Sequence, residues 1–162
     1  MNRIEGDVVI TGTLYAQAQQ LPASSVGNTE VKSTDPIAAG KLQHQRKLTV
    51  AQPNTTATTE TRTIFVATAA GTLKSFEAGS IAACAGAATI TVNLLKNNVS
   101  VLSAAITLNS SSTNRVSQAG MILTADFVDG DWFEVVITAT AGGGTIGTGL
   151  AASLTLNETA EP

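Results

Sequence analysis

The chain's one histidine, His44, stands in the run Lys41-Leu42-Gln43-His44-Gln45-Arg46-Lys47. Histidine is the side-chain type that exchanges protons near neutral pH, so a hydrolytic Ser-His-Asp site is the first chemistry to consider. Such a site needs the imidazole beside a serine and an orienting carboxylate. Serines are plentiful, and Asp126, Asp129 and Asp131 supply carboxylates. The histidine, however, lies in a polar segment ahead of the predicted core, where nothing implies a cleft. The single cysteine, Cys84, excludes an intrachain disulfide, and forty residues from His44 it makes a poor zinc set with it. It sits in the apolar run IAACAGAA, where a small buried thiol is expected. The three aspartates have oxygens suited to calcium, but a DGD between two strands reads first as a β-turn with solvated carboxylates. Gly142 to Gly147, GGGTIG, matches a dinucleotide fingerprint in form only. It is followed by the alternating TGLAASLTLNE and not by a helix, so it reads as a loop. No catalytic residue, metal or cofactor is expected, and the chain reads as a non-enzyme.

Sugar binding usually enlists aromatic rings, and these make up only 4% of the chain: Tyr15, Phe65, Phe76, Phe127, Trp132 and Phe133. Phe65, Phe76 and Phe133 fall at inward positions of strand patterns. Tyr15 and Trp132 are the rings available for contact with a partner.

The elements that must position these residues are strands. Period-two alternation places Ile90, Val92 and Leu94 on one face of ATITVNLL. It does the same for Phe133, Val135 and Ile137 in WFEVVITAT, and for Leu150, Ala152, Leu154 and Leu156 in GLAASLTLN. In VSVLSAAITL the apolar face is Leu102, Ala104, Ile106 and Leu108. Between the strands, Lys96-Asn97-Asn98 invites a tight hairpin because asparagine tolerates positive φ. Asp129-Gly130-Asp131 is a second turn, and Asn109 to Asn114 and the glycine tract after Ala141 are longer loops. Seven or eight short strands from Arg62 onward, with no amphipathic helical stripe, predict an all-β fold. An extended N-terminal arm over residues 1–60 is expected to lead into one β-sandwich over residues 61–162, with a jelly roll the leading topology.

Composition narrows the partners. Charged residues are 13% of the chain and the net charge is −3, a poor match to nucleic-acid binding, which rests on lysine and arginine neutralising phosphates. No apolar run is long enough for a membrane helix, and MNRIEGDVVI does not read as a secretory signal. The four Asn-x-Ser/Thr sequences, at Asn54, Asn98, Asn109 and Asn157, follow from a Ser/Thr-rich composition.

The first sixty residues have VVITGTL as one good strand. QAQQLPASSVGNTEVKSTDPIAAG after it has too few large apolar residues for a core. Ordering each of its residues costs about 1–2 kcal/mol of backbone entropy, so a second surface must supply the contacts. Val8, Ile10, Leu14, Tyr15, Leu21, Ile37 and Leu42 are the candidate interface residues of this segment, and His44 is the candidate at its junction with the sandwich.

Taken in order, IEGDVVITGTLYA, STDPIAAGKLQHQ, RTIFVATAAGTLKSFEAG, ITVNLLKNNVSVLSAAITL and DGDWFEVVITATAGGGTIGTGLAASLTLNE resemble the small decoration (cement) proteins and head fibres of tailed bacteriophages. The resemblance implies a structural virion protein on the outer capsid surface, assembled in the host cytoplasm. It implies a homotrimer whose N-terminal arm contacts the major capsid protein while its β-domain points outward. The alternative is a glycan- or receptor-binding module of a head or tail fibre, touching a host-surface glycan through Asn109 to Asn114 or Gly142 to Gly149.

Overall fold

A computed structural model describes residues 43–159. The candidate interface residues Val8, Ile10, Leu14, Tyr15, Leu21, Ile37 and Leu42 lie outside the described residues.

Short runs that alternate apolar and polar residues cannot stand alone, because each needs a neighbour for its backbone and a cover for its apolar face. Here they assemble as β1 (Gln43–Thr56), β2 (Glu60–Val66), β3 (Gly71–Ala82), β4 (Thr89–Lys96) and β5 (Val99–Ser100), then β6 (Ile106–Leu108), β7 (Gln118–Gly120), β8 (Asp126–Phe127), β9 (Trp132–Thr140) and β10 (Thr148–Thr159). One sheet runs β1-β10-β3-β7, with β8 also on β3. The other runs β2-β9-β4-β5, with β6 also on β4. Every pairing is antiparallel. β5 with β6, and β7 with β8, are each one interrupted strand, which leaves four strands per sheet among the described residues. The chain then visits the sheets in the alternating order of a jelly roll.

The core lies between the sheets and follows the alternation. Ile90, Val92 and Leu94 from β4, Phe133, Val135 and Ile137 from β9, and Leu150, Ala152, Leu154 and Leu156 from β10 are all buried. On β3 the inward residues are Leu73, Phe76 and Ala78. Leu73 and Phe76 are three apart because Leu73 pairs with Leu156 and Ser75 with Thr155, so Lys74 is the extra residue of a bulge. Phe65, Phe127 and Phe133 meet with ring centroids 5.4–6.2 Å apart, two of the three contacts edge-to-face. The hairpin from β4 to β5 turns at Asn97 and Asn98, whose φ angles are 51° and 66°.

Two expectations are corrected. The boundary at residue 61 falls inside the folded body, because β1 pairs with β10 from Gln43↔Thr159 to Gln52↔Leu150. Its inward positions are Leu48, Val50 and Gln52, and a polar residue at the third of these weakens the apolar alternation. Gln52 is buried and fully engaged: Nε2 donates to Thr58 O at 3.0 Å and to Glu60 Oε1 at 2.7 Å, and Oε1 accepts from Thr58 N at 2.8 Å. It closes the crossing from the first sheet to the second. The stretch VSVLSAAITL is also not one strand. The Ser100 hydroxyl bonds both the amide and the carbonyl of Leu102, at 3.2 and 3.1 Å, and such local bonds compete with a ladder. Leu102 bridges instead to Ile122, tying the two sheets at that edge. Ala104 is exposed, while Leu102, Ile106 and Leu108 are buried as expected.

Leu154 and Phe133 are fully enclosed. Leu154→Ala and Phe133→Ala should each destabilise the domain by about 3–5 kcal/mol, whereas Leu123→Ala, at a site 68% exposed, should change stability by under about 0.5 kcal/mol. Urea denaturation of the three variants checks this.

Candidate interaction site

The described part of the basic run, Gln43 to Lys47, is part of a sheet. His44 is exposed on β1 and opposite Glu158 in the ladder. The Glu158 carboxylate is engaged by Arg46, with Nε 2.5 Å from Oε2, and Glu158 is only 3% exposed. The Arg46 guanidinium also stands over the Phe65 ring, 5.8 Å from its centroid. Arg46 therefore faces a buried acid and a ring, and a long side chain that looks solvated in sequence covers the sandwich edge. His44 is placed beside this ion pair. None of Asp126, Asp129 and Asp131 is its ladder partner, since they lie in and after β8.

Those three aspartates differ in environment, and the reading of all three as solvated is corrected for one. Asp126 and Asp129 are exposed, but Asp131 is buried. Its Oδ2 accepts from Val128 N at 2.9 Å and its Oδ1 from Asn97 Nδ2 at 2.6 Å. Lys96 Nζ is 3.6 Å from Oδ2 and also donates to Asp126 O at 2.8 Å. The other side of the Asn97 amide accepts from Trp132 N at 2.9 Å, and Asn97 N donates to Trp132 O at 2.9 Å. Asp131 thus clasps the turn after β8 to the hairpin after β4. Among the described residues no group of three or more His, Cys, Asp or Glu is placed to hold a metal. The Val128 amide, then Asn97 and Lys96, hold the Asp131 carboxyl below its ordinary value, against the opposing effect of burial.

The two loops expected to meet a ligand are stapled to the sandwich. In Asn109 to Asn114, the Asn109 carboxamide accepts from Ser111 N at 2.9 Å, Ser112 Oγ accepts from Asn109 N at 2.9 Å, and Asn114 Oδ1 accepts from Ala83 N at 2.7 Å. Further along, Arg115, in the left-handed region at φ 61°, donates its amide to Ser80 O at 2.8 Å. The glycine tract turns at Gly142, with φ 53°, where a Cβ would meet Ala87 O at 2.7 Å. It leads directly into β10, so no helix follows it to receive a pyrophosphate. Cys84 is buried and accepts from Gly147 N at 3.3 Å.

Open concavities lie on the sheet faces among the described residues. One, of about 410 Å³, lies across the outer face of the first sheet, between Lys47 and Thr49 on β1, Ala151 and Ser153 on β10, and Arg115 to Ser117 beyond β3. The loop fits closely there because Gly79 has no side chain: a Cβ would lie 2.9 Å from Val116 O. Another, of about 310 Å³, is bordered by Asn97, Asn98, Trp132 and Glu134 on the second sheet. Trp132 is 53% exposed. Spacing gave no sign that Asn97 and Asp131, 34 residues apart, would hold this ring's backbone in place. The only legible hint was two turn motifs, KNN and DGD, each ending or starting a strong strand.

No protein-family model and no curated protein matches this chain.

Because Asp131 has a lower value folded than unfolded, its stabilisation is complete above the unfolded value, near pH 4. It is lost as pH falls through the folded value. Asp131→Asn should lower stability at pH 7 by about 1–3 kcal/mol and flatten the fall in stability between neutral and acid pH. Denaturant midpoints measured from pH 7 down to pH 2 check both effects.

Proposed function

We propose that this protein is a structural, non-enzymatic component of a tailed-bacteriophage virion, a homotrimer that binds the outer surface of the assembled capsid and stabilises it. The observation that supports this most is the way β1 joins the sandwich. β1 is fourteen residues long, sits at the edge of the first sheet and, among the described residues, pairs with β10 alone. An edge of this kind leaves a row of backbone donors and acceptors for another chain. The 42 residues before it are, by composition, too poor in large apolar side chains to fold on their own. A folded domain with an open edge strand, preceded in sequence by a segment too poor in apolar side chains for its own core, suits a cement protein.

Several polar groups of the described domain serve its own architecture. Gln52 seals a crossing, Asp131 and Asn97 clasp two turns, and Arg46 pairs with Glu158. A ligand that binds only the assembled lattice stabilises it by an amount that grows with the logarithm of concentration over Kd. Val8, Ile10, Leu14, Tyr15, Leu21, Ile37 and Leu42 are proposed to make the capsid and trimer contacts, with His44 at the junction. The major capsid protein is the proposed partner.

Deleting Met1 to Lys32 should leave a folded β-domain by circular dichroism that no longer co-sediments with expanded capsids. Co-sedimentation equal to that of the full chain would overturn the proposal. Mass photometry of the full chain should give three times the monomer mass, and a persistent monomer would count against symmetric decoration.

A further inference from the structure

Trp132 opens β9 and lies on the outer face of the second sheet. It is directly opposite Val66 on β2, with Glu134 two residues along on the same face. Its backbone is held on both sides by Asn97, and behind it Asp131 locks Asn97 in turn. These bonds hold the Trp132 backbone, which carries the indole, against the Asn97-Asn98 turn. They use the Asn97 amide and leave the Asn98 amide with no hydrogen bond among the described residues. The Glu134 carboxylate receives only a weak bond from Thr63 Oγ1 at 3.5 Å. The concavity of about 310 Å³ between these groups falls within the size of small-ligand sites.

We propose that this shelf binds a pyranose sugar. The indole offers a flat apolar face to the C–H face of the ring. At the rim, Glu134 accepts hydrogen bonds from hydroxyls, and the Asn98 amide both donates and accepts. A carboxylate beside the ring favours this ligand over a protein partner, because glutamate is depleted from the cores of protein interfaces, whereas vicinal hydroxyls satisfy both its oxygens. The Trp132 backbone and Asn97 are bonded in place before any ligand arrives, which lowers the ordering cost left to binding. Nothing in this inference rests on the capsid reading. It also moves the glycan contact away from the Asn109 to Asn114 and Gly142 to Gly149 loops.

The chain has one tryptophan, so its emission reports on this shelf alone. The full chain is titrated with glucose, galactose, mannose, N-acetylglucosamine and glucuronate, and is also applied to a printed glycan array. The expected result is a saturable emission change with at least one sugar or a reproducible array ligand. By calorimetry, Glu134→Gln should weaken that binding about tenfold, the loss of one charged hydrogen bond. Trp132→Ala should abolish it, and Lys47→Ala, on the other sheet, should leave it intact. Unchanged circular dichroism shows that each variant folds. Absence of any response in both formats overturns the proposal, as does binding indifferent to Trp132→Ala. An emission shift that depends on protein concentration alone overturns it too, and assigns the ring to contact between copies.

Discussion

β10 has a hydrogen-bonded neighbour on each side, β1 and β3, and on this double pairing the rest of the sandwich depends. A strand paired on both sides has no free backbone groups to satisfy, so its inward residues can all be apolar without exposing an edge. Leu150, Leu154 and Leu156 are accordingly among the most completely buried side chains. Their ladder to β1 draws residues 43–52 into the fold although those residues contribute only Leu48 and Val50 as large apolar side chains. On the facing sheet β9 holds the same position between β2 and β4. Phe133, Val135 and Ile137 fill the space opposite β10.

Two central strands this apolar put the burden of specificity on the edges and turns. There the structure uses single polar side chains, each satisfied: Gln52 where β1 crosses to β2, Ser100 where the strand after β4 breaks, and Asp131 with Asn97 where two turns meet. A buried polar group without partners would cost about 1–3 kcal/mol, so each of these residues favours only the arrangement in which its bonds close. Steric fit explains one bare position on the outer face of the first sheet. Gly79 is bare because the backbone of Val116 lies against it.

The clasp at Asp131 also joins structure to surface. It is a buried charge bonded to a backbone amide, a carboxamide and a lysine. What it immobilises is the backbone that carries the exposed indole of Trp132. An exposed ring on a held backbone thus lies beside the Glu134 carboxylate, whereas in the longer loop Asn109, Ser112 and Asn114 use their side chains to hold the backbone in place.

The all-β class, the jelly-roll expectation, the inward faces of β4, β9 and β10, the Asn97-Asn98 hairpin, the burial of Cys84 and the exposure of Trp132 were legible from residue order. Each rests on local chemistry: a period of two, a residue that tolerates positive φ, a thiol in an apolar run. The membership of β1, the break in VSVLSAAITL and the burial of Asp131 depend on what lies across a sheet or between sheets. Gln52 reads as a surface residue until Thr58 and Glu60 are placed beside it. Asp131 reads as a solvated turn acid until Asn97, 34 residues earlier, closes on it. Alternation is a property of neighbours along the chain. Polar satisfaction is a property of neighbours in space, and only the packed sheets bring those together.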